Sequence, residues 1–463
     1  MKISIVALLL SISASLAQAP SAEQLASLPQ NQFPQVDAIG QKATIHSSAA
    51  TSLAAAFGLN LPDTVPPTSY NEIAMWAGAH NVVYRDVKTL AGIDVLEEDG
   101  FAELKGKRIG LLTNQTGFDR AGRRDVDAML AAGVQVVSLF SPEHGFSVSQ
   151  DTENIPDTKD SSTGLPIVSL YEPGKRRLTA AQMRNLDAVV FDVQDVGTRF
   201  WTYSCTLLYA LEESGKAKKP FYVLDRPNPI TGTHVEGPML DNDLHSFTGC
   251  YDMPLRHGMT FGELAAMANA EQHWGADLRV IKVKNWERGD WFDATTLTWV
   301  NPSPNMRSLN AALLYPGVGM IEYAKNYSVG RGTDAPFEQI GADWIDGPAL
   351  AQFLNSRSIP GVRAYPTRFR PSSSNLKDVD VSGVRFIITD RDAFDSTRLG
   401  IELAAALQKL FPGKIDFDKC RLLIGNRAVL NELKNGTDAS VIWSKAQEQA
   451  SQFVERRKPY LLY

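Results

Sequence analysis

Carboxylates, amides, histidines and guanidinium groups recur in this sequence at one kind of place, directly after short apolar runs. Gly110-Leu111-Leu112-Thr113 is followed by Asn114-Gln115-Thr116-Gly117, and Val134–Phe140 by Ser141-Pro142-Glu143-His144-Gly145. Ala188–Val193 carries Asp192 and continues through Asp195 to Arg199, while Phe221–Leu224 leads into Asp225-Arg226-Pro227-Asn228-Pro229. Any one cluster reads equally well as a cap or turn, because Asp and Asn accept hydrogen bonds from nearby backbone N–H groups. Four together deliver acid, base and cation toward one edge. Cleaving a glycosidic bond takes a carboxylic acid that protonates the leaving oxygen, and usually a second carboxylate beside the sugar. Glu143 is the best acid, because His144 and Gly145 after it leave room for a ligand. Asp192 and Asp195 are taken as catalytic partners, with Asp225, Glu236 and Glu322 competing for the same role. Arg199, Arg226 and Arg331 could grip a substrate carboxylate with a two-pronged contact. Glycines flank Arg331 in Gly330-Arg331-Gly332-Thr333, which would let that loop approach a ligand or simply turn. Asn114, Asn228 and Asn305 complete the expected substrate-binding set with His144 and His257, the histidines orienting substrate or tuning Glu143 rather than binding metal.

Other chemistries lack their signatures. No Gly-x-Gly-x-x-Gly follows the first apolar run, and neither a phosphate loop nor His-Glu-x-x-His occurs. No Gly-x-Ser-x-Gly elbow is present. A nucleophilic serine and a dinucleotide are therefore not expected, and no cofactor is called for. Two competing readings stay open. A metal-assisted hydrolase would use Asp192, Asp195 and Asp225 with His144 or His257. A non-catalytic wall-glycan binder would keep a cleft, although it has no need of an acid at Glu143.

The elements that must position these groups alternate along the chain. Apolar runs separated by the helical stretches Arg123–Ala132, Leu178–Leu186 and Tyr203–Ser214 predict a parallel sheet covered on both faces, with Pro166–Tyr171 as its third strand. The fold class is α/β: a Rossmann-like, doubly wound, mainly parallel sheet with a second, smaller α/β domain. In such sheets ligands bind beyond the carboxyl ends of the strands. The catalytic domain is placed at 87–300 and the smaller domain at 301–463, the latter with a strand at Val384–Thr389 and helices at Ser396–Leu410 and Ala439–Arg457.

Residues 1–19 read as an export leader, a single Lys2 before an apolar run that ends in Ala17-Gln18-Ala19. That run is too short for an ordinary membrane span, and no membrane anchor is expected. Residues 20–86, rich in Ala, Ser, Pro, Gln and Asn, read as a linker or poorly ordered extension. The product would be exported to the periplasm or the medium. A net charge of −6 argues against nucleic acid as a partner. Cys205, Cys250 and Cys420 are far apart and odd in number, so three buried thiols are expected, one bridge being the alternative.

The motifs around these residues resemble the NamZ family of exo-β-N-acetylmuramidases. The similarity runs through Gly110–Gly117, Ser141–Gly145, Asp192–Arg199, Leu224–Pro229, Glu236–Pro238, Leu255–Thr260, Asn301–Met306 and Ser328–Thr333, spanning Val87 to Tyr463. The resemblance implies a Rossmann-like domain, a smaller C-terminal domain and a cleft between them. It implies Glu143 as the catalytic residue and release of terminal N-acetylmuramic acid from peptidoglycan fragments. Asp343-Trp344 stands where the family pattern leads us to expect proline, which would alter a cleft wall.

Overall fold

Short runs of branched and aromatic residues form strands that bury both faces, and the computed structural model shows them doing so. It describes residues 88–463 except 150, 153 and 173, together with the backbone of a two-residue ladder, Thr44–Ile45 against Thr68–Ser69. The expected leader and the rest of the 20–86 extension lie outside the described residues.

Helix α1 (Gly92–Glu98) leads into β1 (Arg108–Thr113), α2 (Asp125–Ala131), β2 (Gln135–Ser141), β3 (Thr158–Lys159) and β4 (Pro166–Ser169). Then come α3 (Ala180–Arg184), β5 (Ala188–Asp192), α4 (Tyr203–Lys216) and β6 (Phe221–Leu224). An antiparallel ribbon, β7 (Glu236–Met239) with β8 (Pro254–Arg256), precedes α5 (Phe261–Glu271) and β9 (Leu278–Ile281). The large sheet has the order β9-β6-β5-β1-β2-β4-β3, parallel throughout except for β3 at one edge. Apart from β3 this is the doubly wound Rossmann order, which reverses direction between β1 and β5. Alternate residues feed two apolar layers: Leu112, Val189 and Phe191 pack on one face, Ile109, Leu111 and Val190 on the other.

The remaining chain gives α6 (Leu309–Val318), β10 (Gln339–Ala342), α7 (Gly347–Ser356), β11 (Val362–Phe369) and β12 (Val381–Ile388). It closes with α8 (Ser396–Leu410), α9 (Arg421–Ile424), α10 (Arg427–Lys434) and α11 (Ala439–Arg457). The strands form a small antiparallel sheet, β10-β12-β11. Pro366 is tolerated in β11 because that strand lies on an edge, where a missing N–H breaks no second ladder. Asp395 and Asp438 cap α8 and α11 by accepting backbone N–H bonds from Arg398 and Ser440. Helix α6 is apolar all round and buried from Ala311 to Val318. It crosses α8 so closely that a Cβ on Gly317 would lie 2.0 Å from the Ser396 carbonyl oxygen. One buried cluster runs from the large sheet through α6 into the small sheet and α8.

The expectation of three free thiols is corrected. Cys205, in the first turn of α4, is disulfide-bonded to Cys250, and Cys420 alone is a buried free thiol. Spacing along the chain did not reveal the pair because the loop before β8 folds back on α4, bringing the two Cα atoms to 5.8 Å.

Candidate active site

Glu143 leaves the carboxyl end of β2 on a tight turn. His144 and Gly145 have φ of 70° and 77°, and Gly145 N–H donates to the Pro142 carbonyl at 3.1 Å. Positive φ is uncommon for a residue with a side chain and recurs at functional sites. The half-buried Glu143 borders an open cleft of about 370 Å³, a size that suits a small ligand. Thr202, at the start of α4, donates its hydroxyl to Glu143 Oε2. Tyr203 donates to the Glu143 carbonyl at 3.2 Å. The Tyr171 hydroxyl, just beyond β4, faces the Glu143 carboxyl; burial, with the Glu143 charge added, raises the Tyr171 pKa, so the phenol keeps its proton.

Glu322 and Arg331 border the same cleft and pair with each other. Arg331 Nη1 also lies 3.4 Å from Asp151, whose Oδ2 accepts from Asn305 Nδ2 at 3.0 Å. Burial works against the Arg331 charge, but Glu322 and Asp151 outweigh it and hold the pKa above its ordinary value. The glycines beside Arg331 are both left-handed, as a tight turn requires. His144 Nδ1 is 3.9 Å from Asp151, and Asn114 donates Nδ2 to Tyr203 at 3.2 Å, one residue behind the Glu143 support. Of the expected set, Glu143, Glu322 and Arg331 therefore line the cleft, and Asn305, His144 and Asn114 stand behind its wall.

The other expected residues serve the interior. Asp192 carries a buried ion pair, with Arg226 Nε and Nη2 at 2.6 and 3.0 Å, and Arg226 also donates to the Phe118 carbonyl at 3.0 Å. Buried beside them, Asp125 has its carboxyl pushed well up by burial and by the Asp192 charge. Asp195 accepts from Val196 N–H at 2.7 Å and faces His257 Nε2 at 3.4 Å, while His257 Nδ1 accepts from Met259 N–H. Asp225 is fully buried and accepts from Thr260, Gly262 and Tyr463 at 2.6–2.8 Å. Despite those bonds, burial raises its pKa to about 6. Asn228 bonds Ile230 N–H and the Met259 carbonyl, and Glu236 pairs with Arg256 and accepts from Ser396 N–H. Arg199 donates to the carbonyls of Pro238, Met253, Leu423 and Ile424 at 2.8–3.2 Å, and burial lowers its pKa to about 9. Neither Arg199 nor Arg226 reaches the cleft, because each is consumed by interior acceptors. Leu423 borders the cleft, so Arg199 supports a wall of it. Trp344 instead bonds the Asn326 carbonyl and packs on Phe411, and Asp343 borders a separate surface pocket, so neither alters the cleft.

Asp151, Tyr171, Arg176, Thr202 and Phe247 border the cleft without having been singled out in the sequence. The rule that ligands gather at strand ends would have found Tyr171 and Arg176, which follow the third strand of the parallel set. Phe247 sits in a loop with no pattern to mark it. Among the described residues no group of three His, Cys, Asp or Glu side chains is arranged to hold a metal. No helix among them is long and apolar enough to cross a membrane.

The family models described as exo-beta-N-acetylmuramidase NamZ, N-terminal and C-terminal, match residues 109–310 and 313–463. The peptidoglycan beta-N-acetylmuramidase NamZ of Bacillus subtilis (strain 168) is 39% identical over 415 residues, covering 88% of this chain and 97% of that one. Two crystal structures of DUF1343 family proteins from Bacteroides fragilis are similar over 81% of this chain and 99% of each of theirs. Their TM-scores are 0.76 and 0.66, with 32% and 29% identity.

Proposed function

The chain belongs to the NamZ family of exo-β-N-acetylmuramidases, and from that premise we propose that it removes terminal N-acetylmuramic acid from the non-reducing end of peptidoglycan fragments. The observation that carries this reading is Glu143, held by Thr202 and faced by Tyr171 at the edge of a cleft lined with aromatic rings. Its carboxyl group protonates the glycosidic oxygen as the bond to the sugar breaks. Thr202 fixes the carboxyl orientation, so the proton is aimed before substrate arrives. Among the described residues Glu322 and Asp151 are the other carboxylates of the cleft and take the place first given to Asp192 and Asp195. The metal-assisted alternative is disfavoured by the donors themselves. Asp192 and Asp225 spend their oxygens on Arg226 and on Thr260, Gly262 and Tyr463, and Asp195 gives one oxygen to the Val196 N–H.

We further propose export, on two supports: the leader pattern of residues 1–19 and the Cys205–Cys250 bridge, a bond that persists in oxidising compartments. The test of the activity is a chromogenic N-acetylmuramide beside the matching N-acetylglucosaminide. Glu143→Gln should fold normally and lose ~10²–10⁴-fold in kcat, the usual worth of a general acid. A folded variant that turns over the muramide at the wild-type rate would remove Glu143 from the mechanism.

A further inference from the structure

Among the described residues two guanidinium groups border the cleft, and they are in opposite electrostatic states. Arg331 is spent on Glu322 and Asp151. Arg176 has no hydrogen bond or ion pair with any described residue. It lies half-buried with its guanidinium carbon 4.2 Å from the Phe247 ring centre and 5.2 Å from that of Tyr171. The two rings are 5.9 Å apart, so together they form an aromatic seat. Stacking on ring faces orients a guanidinium without cancelling its charge, and the N–H donors at its edge remain available. The acidic cleft thus holds one oriented cation that no carboxylate neutralises among the described residues. Tyr171 stands between this cation and the acid, since its hydroxyl faces Glu143, its ring lies beneath Arg176, and all three border the one cleft.

We infer that Arg176 is the specificity-determining residue that binds the lactyl carboxylate of the muramic acid ring while Glu143 addresses the glycosidic oxygen of the same ring. The assignment rests on the muramidase reading above and gives it a cause: the lactyl carboxylate is what distinguishes this sugar from N-acetylglucosamine. A planar guanidinium offers that carboxylate two parallel N–H bonds. Removing the sugar's negative charge and removing the arginine should therefore be equivalent, non-additive losses.

The experiment compares a chromogenic N-acetylmuramide with its lactyl methyl ester, using wild-type protein, Arg176→Gln and Arg176→Lys. Wild-type kcat/KM should be about 10–100-fold lower on the ester, the worth of a charged hydrogen bond. Arg176→Gln should lose a similar factor on the acid, mainly through KM, and little on the ester. Arg176→Lys should recover part of the loss on the acid. Equal wild-type rates on acid and ester would overturn the assignment, whether or not either variant folds. So would an Arg176→Gln variant that loses the same factor on both substrates. Wild-type protein that cleaves neither, although folded, overturns the muramidase reading and this assignment with it.

Discussion

Arg226 and Asp192 stand at the point where strand order reverses, where a catalytic pair would be sought, yet both are enclosed. Asp192 is 0% exposed and its two oxygens receive Arg226 at 2.6 and 3.0 Å. Arg226→Met would leave Asp192 buried beside Asp125 with no compensating charge. Breaking a buried pair from one side costs about 3–5 kcal/mol, because the remaining charge keeps its desolvation penalty. For a cooperative body of this size each kcal/mol corresponds to about 1–2 °C, so the melting temperature should fall by about 3–10 °C. Replacing both partners, with Asp192→Asn and Arg226→Met, removes the stranded charge and should restore most of the loss. Thermal unfolding followed by circular dichroism supplies the stabilities, and muramide turnover per folded molecule supplies the activities. The double variant should keep turnover within about threefold of wild type, whereas loss of a proton-transferring carboxylate costs ~10²–10⁴-fold. A double variant with wild-type melting temperature and a hundredfold lower turnover would return Asp192 to the chemistry and refute the structural assignment.

Asp225 predicts a pH dependence of stability. Its folded pKa of about 6 lies above the ordinary 3.8, so its contribution is complete below about pH 4 and is lost as pH rises through 6. The amount is on the order of 3 kcal/mol, and Asp225→Asn should flatten the melting profile between pH 4 and 7. An unchanged slope contradicts the assignment. The Cys205–Cys250 bridge closes 45 residues of chain and ties down the loop that carries Phe247. Cys250→Ser should cost about 2–4 kcal/mol and raise KM for the muramide; kinetics insensitive to the change would show that the loop holds itself. Gly317→Ala should destabilise by about 1–3 kcal/mol through overpacking at the α6–α8 crossing, measured by denaturant unfolding.

The doubly wound core was legible because its strands are buried on both faces and so read as unbroken apolar runs; Phe221–Leu224 and Ser396–Leu410 fall on the residues expected. Elements with one face in solvent were not. β11 mixes Arg363, Pro366 and Arg368 into its run, and the edge strand β9 places Arg279 in its middle, so neither announces itself by apolar continuity. The same distinction divides the site. Glu143 was found because its strand end is followed by a turn. Asp192, Asp225 and Arg226 share that kind of placement but point inward, and residue type at a strand end does not encode which way a side chain faces. Arg176 escaped notice because its role depends on two rings, one of them 71 positions further along the chain.

Helix α6 sets a limit on how this protein can be divided. The two family models meet between residues 310 and 313, within α6, whose apolar surface is enclosed by both halves of the chain. A helix without a polar side has no stable existence at a severed edge. The C-terminal stretch expressed alone would present most of this helix to water as a site of aggregation, whereas the Gly317–Gly400 contact lies within that stretch and would survive the cut. The two stretches are recognisable separately in sequence, yet the boundary between them divides one helix that neither carries whole.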